Sequence, residues 1–192
     1  MLYDDRRTAG LLLIVGGVLC FLGIIIAEAL HPGYSTSENY ISDLGVGPSA
    51  LIFNVSVFLL GLLTVFAAYF IQKAFDSKLF SLLAAIAGIG AIGVGLFPED
   101  VGTLHVVFSL TTFLFSGIAA IVSYKLERPP LSYLSVILGV SSLVALTLLA
   151  SGNYLGLGVG GMERLIAYPA LFWAVSFGGY LIGDSRNSAP PK

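Results

Sequence analysis

The sequence predicts an all-α, polytopic integral membrane protein: one bundle of six transmembrane helices with both termini in the cytoplasm. Three observations predict it. Of the 192 residues, 57% are hydrophobic and only 10% charged, whereas about a quarter of a soluble domain is charged. Apolar runs of about 20 residues, enough to cross a hydrocarbon core of ~30 Å, recur along the chain. The cations are one-sided: with six spans, Arg6, Arg7, Lys73, Lys78, Lys125, Arg128, Arg186 and Lys192 fall on the side of the termini and only Arg164 on the other. That bias marks cytoplasmic loops.

The first span is expected at 8–30, after a charged start that ends in Arg6-Arg7. Its apolar core is too long for the h-region of a cleaved signal peptide, and Glu28-Ala29-Leu30-His31-Pro32 is a poor cleavage context. Pro32-Gly33 breaks the helix. A polar loop follows, and the second and third spans are expected at 49–72 and 79–97. The third contains Gly88, Gly90, Gly93 and Gly95, small residues that let helices approach closely in lipid and could also carry a homo-oligomer contact. After Pro98-Glu99-Asp100-Val101-Gly102 come spans at 103–125 and 131–151, separated by Glu127-Arg128-Pro129-Pro130. A glycine-rich stretch from Gly152 to Gly161 precedes the sixth span, expected at 162–183, and 184–192 reads as a disordered polar tail. No polar interval is long enough to hold a soluble core, so the chain is one membrane domain, 1–192. The net charge of −2 argues against a nucleic-acid partner. The single cysteine, Cys20, lies in an apolar run, which rules out an intrachain disulfide and cysteine-paired zinc motifs.

The unusual polar residues converge on the side away from the termini, predicted to face outward. Glu28 and His31 end the first helix on one face. The loop adds Tyr34, Ser35, Asn39, Ser42 and Asp43; the second turn adds Glu99 and Asp100 with His105 just below; the third adds Glu163 and Arg164. Ionisable groups at a membrane boundary mark function. His31, Asp43, Asp100 and His105 are the candidate catalytic residues, as acids, bases and their orienting partners. Glu28, Tyr34, Ser35, Ser42, Glu163 and Arg164 are the candidate substrate-binding residues. His31 and His105 with Asp100 or Asp43 form a donor set that a divalent metal such as zinc accepts, although no His-Glu-x-x-His motif is present. Each residue also has a structural reading. Asp43 fits a side-chain-capped turn. Glu99 and Asp100 suit a helix N-terminus. The histidines suit hydrogen bonds to the nearby acids. Arg164 suits a salt bridge to Asp43 or Asp100, or an anchor for a lipid phosphate or carboxylate.

His31-Pro32-Gly33-Tyr34-Ser35, Ile41-Ser42-Asp43-Leu44-Gly45, Phe53-Asn54, Gly95-Leu96-Phe97-Pro98-Glu99-Asp100 with His105, and Gly161-Met162-Glu163-Arg164 with Trp173 together resemble the domain-of-unknown-function (DUF) 998 family over nearly the whole chain. That resemblance implies a small multi-span prokaryotic membrane protein and brings no assigned reaction. The Ile-Ser-Asp-Leu-Gly segment is also similar to one in the six-span Frag1/DRAM/Sfk1 group, some members of which are linked to lipid remodelling. The expected function is binding or processing of a lipid or isoprenoid head group in an outward-facing polar pocket of the cell membrane, as a hydrolase or transferase if catalytic. The alternatives are a non-catalytic structural or interaction module whose polar cluster is a hydrogen-bond network, and a small transporter.

Overall fold

Every long apolar run becomes a helix, because a chain surrounded by lipid must satisfy its backbone polar groups within each segment. The computed structural model describes residues 4–187, in which six helices are long and apolar enough to cross a membrane. They are α1 (Asp5–Leu30), α2 (Ala50–Phe75), α3 (Lys78–Leu96), α4 (Thr103–Val122), α5 (Leu131–Ala150) and α6 (Gly158–Asn187). No strand occurs among the described residues. Each helix packs on its neighbours in sequence and α6 closes against α1, so the six form a ring.

Glycines set the close crossings of that ring. A Cβ on Gly61 of α2 would lie 2.5 Å from Gly88 O of α3. Gly10 of α1 meets Gly178 of α6 in the same way, and Gly139 of α5 meets Gly117 of α4. Gly90, Gly93 and Gly95 of α3 press on Thr112, Phe108 and the Asn54–Phe58 turn. The glycines of α3 thus serve contacts inside this chain, where their missing side chains bring backbones together.

At the terminal end, Asp4 caps α1 by accepting from Arg6 N at 3.0 Å. Arg6 and Arg128 both pair with Asp184. The anchored Asp184 lies inside α6, which continues to Asn187, so residues 184–187 are helical where a disordered tail was expected. Residues 188–192 of that tail lie outside the described residues.

The other end of the bundle, called the cap below, departs more from expectation. The glycine-rich stretch before α6 is helical from Gly158. Gly158 and Gly160 press onto the backbone of Ser37, Thr36 and Asn39 so closely that a Cβ at either would collide with it. Gly160 N donates to Ser37 O at 3.0 Å. The first loop is therefore laid directly on the first turn of α6 and uses one of its otherwise unpaired N–H groups.

Candidate functional site

Arg164, in the second turn of α6, organises the cap. Its Nη1 donates to Thr36 O at 2.9 Å and Gly160 O at 3.0 Å; its Nη2 donates to the Glu28 carboxylate and to Tyr34 Oη at 2.7 Å. All four terminal N–H groups are taken. The Tyr34 hydroxyl, having accepted from Arg164, donates to Tyr40 O at 2.9 Å. Burial pushes the Tyr34 pKa up to about 12, so this donor keeps its proton across the physiological range. The expected partners of Arg164, Asp43 and Asp100, are corrected to Glu28. The close approach of α1 to α6 puts the last turn of α1 beside Arg164. Asp43 is held instead by Asn39 Nδ2 at 2.9 Å, and Asp100 is exposed without a polar partner among the described residues.

Glu163 takes hold of the same loop at another point. Only 6% exposed, it accepts from Ile41 N, and the Ser42 N–H also faces it. The carboxylate thus caps the 3-10 turn Ser42–Gly45, whose leading N–H groups have no partner within the turn. Adjacent residues project in different directions from a helix, so Glu163 secures Ile41 while Arg164 secures Tyr34 and Thr36.

Glu99 closes against the outside of that turn. Its carboxyl faces Asp43 and Ser42, and its Oε2 is buried with no donor among the described residues. Two carboxylates cannot hydrogen-bond without a proton between them. Burial first, then the bond to Asp43 and its charge, push Glu99 up to about 7. Glu99 was read from sequence as a member of the outward polar cluster or an acid at a helix start, without a named partner; Asp43 is remote in the chain.

The two histidines are fixed separately. His31 Nδ1 lies 2.9 Å from Ser49 Oγ, which itself donates to Leu44 O at 2.9 Å. Since the serine proton is committed, His31 Nδ1 is the donor. His105, 4% exposed, places Nδ1 2.8 Å from Phe97 O, which only accepts, so its Nδ1 carries hydrogen too. The expectation that the nearby acids bind the histidines is corrected to a serine hydroxyl and a backbone carbonyl. No group of three or more His, Cys, Asp or Glu side chains is placed to hold a metal ion among the described residues, so the donor set of His31, His105 and Asp100 or Asp43 is not assembled. Ser35, the remaining candidate, pairs its hydroxyl with Ser37 at 3.1 Å.

One open space lies beneath the cap, and a larger apolar groove lies among α1, α5 and α6. The ring surrounds a partly open cavity of about 120 Å³, walled by apolar side chains of α1, α2, α3, α4 and α6 such as Cys20, Val57, Ala91 and Trp173. Ile41, Ser42 and Glu163 form its cap end. From Glu163 to Trp173 along α6 the wall is ~15 Å long at 1.5 Å per residue. Thr64, Ser109, Thr112 and Ser116 also line it, and the hydroxyls of Thr64, Thr112 and Ser116 donate to carbonyls of their own helices. Hydropathy could not reveal this cavity, because residues facing it and residues facing lipid are equally apolar.

Residues 14–180 match the family described as Protein of unknown function (DUF998). No curated protein and no solved structure matches the chain.

Proposed function

The chain belongs to the DUF998 family, and from that premise we propose that this multi-pass protein resides in the cell membrane with its termini in the cytoplasm and binds a lipid, enclosing its chain inside the ring under the polar cap. The cavity carries this reading. An engineered apolar cavity of roughly 150 Å³ stays dry and admits an apolar guest, and this one is similar in size, at about 120 Å³. At ~24 cal/mol per Å³ an empty void of that size costs about 3 kcal/mol, which an occupant offsets. The cap then acts as a lid. Glu163 and Arg164 fasten the loop, and Ile41 and Ser42 are both part of the lid and part of the cavity wall. The one-sided cations support the orientation.

A binding role suits the cluster better than a catalytic one. The hydroxyls of Ser35 and Ser42 face Ser37 and Glu99 rather than a histidine, and neither histidine touches an acid. The test is mass spectrometry of lipid extracted from the purified protein. One lipid per chain is expected, lost in Ala91→Phe and Ala87→Phe, which fill the cavity from α3. Absence of lipid, or equal lipid in both variants, would overturn the reading.

A further inference from the structure

We infer that the occupant is a single-chain alcohol, fatty or isoprenoid, whose hydroxyl donates to the Glu163 carboxylate beneath the Ile41–Ser42 turn. The inference rests on the reading of the cavity as a chain-binding site and adds the chemistry of the head group.

The polar end of the cavity is acidic. Glu163 lines it, Glu99 lies within electrostatic reach of Glu163, and Asp43 is in contact with Glu99. The one cation at this end among the described residues is Arg164, and its four terminal N–H groups are taken by Thr36 O, Gly160 O, Glu28 and Tyr34. Arg164 also does not line the cavity. A phosphate would meet carboxylates and no free donor of matching charge, so the reading of Arg164 as a phosphate anchor falls with this geometry.

Glu163 has acceptor capacity to spare, because a carboxylate offers about four lone-pair sites and only Ile41 N and the Ser42 N–H occupy them. A hydroxyl brings a proton to that carboxylate without bringing a charge into an apolar cavity. An ammonium head group would complement the charge but would have to shed its water there, and such a desolvated pair repays its cost only in excellent geometry. A single chain matches a narrow space ~15 Å long inside a ring of helices.

The experiment uses the full chain, purified and delipidated in detergent, and native mass spectrometry with three saturated probes of one chain length: the primary alcohol, the primary amine and the monoalkyl phosphate. The alcohol is expected to bind once per chain, at least about ten-fold tighter than the phosphate, since like charges brought together are strongly disfavoured. The amine is expected to bind more weakly than the alcohol. In Glu163→Gln, with one of the facing charges gone, the gap between alcohol and phosphate is expected to narrow. Phosphate or amine binding that equals or exceeds alcohol binding would overturn the head-group inference and leave the chain-binding reading standing. Failure of all three probes, or their undiminished binding to both Ala91→Phe and Ala87→Phe, would overturn the chain-binding reading itself.

Discussion

The two ends of this bundle use the same side-chain chemistry for different purposes. At the terminal end, Lys73 meets Asp5 at 3.2 Å with side chains 48% and 28% exposed, and the pair joins two helix ends that packing already holds. At the cap, Arg164 and Glu28 are 11% and 21% exposed, and the same guanidinium also holds Tyr34 Oη and two backbone carbonyls. The terminal pair adds little to what hydrophobic contact provides, while the cap pair gives an irregular loop its position on the helix ends. Each end also buries an acid. Glu127, 7% exposed beside Ser123 and Ser135, has its pKa raised by burial. Ser123 has one proton and two acceptors in range, Ala120 O at 2.7 Å and Glu127 Oε2 at 2.9 Å, while Trp173 Nε1 donates to its Oγ at 3.1 Å. Glu163 at the cap instead accepts from backbone N–H groups.

Breaking the cap pair should have the largest effect. Arg164→Leu leaves Glu28, Tyr34 Oη and Thr36 O without their shared donor and is expected to destabilise by about 3–5 kcal/mol, the range for removing one partner of a buried pair. A lowered thermal midpoint in detergent measures it. Glu163→Ala removes the acceptor of Ile41 N and is expected to destabilise by about 1–3 kcal/mol. Its distinctive sign is faster amide hydrogen exchange at Ile41 and Ser42 with α5 unchanged.

Glu99 gives the cap a pH dependence. Folding raises its carboxyl from 4.5 to about 7, so the fold favours the protonated form. The contribution is fully present below about pH 4.5 and is lost as pH rises through about 7. Thermal midpoints of the wild type should fall across that window, and Glu99→Gln should flatten the fall. Ser42 and Asp43 face this carboxyl directly, and Glu163 and Tyr40 lie within electrostatic reach of it. The smallest effect belongs to the terminal end: Lys73→Ala is expected to change stability by under ~1 kcal/mol, as exposed pairs do, and added salt should erase even that.

The six spans were legible because hydropathy over about 20 residues is a strong signal. The placement of the polar cluster was legible too, since polar residues recur at the same ends of the helices. The pairings within it were not. Arg164 selects Glu28 over Asp43 and Asp100 because of how α1 lies on α6, and spacing along one chain does not encode that. Ser49, the partner of His31, looked like an ordinary helix start. The glycines at 158 and 160 read as a loop because their purpose, a backbone pressed onto Ser37 and Asn39, is visible only once the loop is folded. The cavity was the least legible feature, since lipid outside and a cavity inside demand the same residues.

Photolabelling tests the central claim most directly. A long-chain alcohol bearing a photoreactive group within its chain is bound to the full-length protein, irradiated, and its adducts are mapped by peptide mass spectrometry. The account predicts adducts on inward residues such as Cys20, Val57, Ala91 and Trp173, displaced by excess unlabelled alcohol. Adducts confined to outward residues such as Leu51, Phe66 and Ile137, or labelling that excess alcohol does not displace, would contradict it.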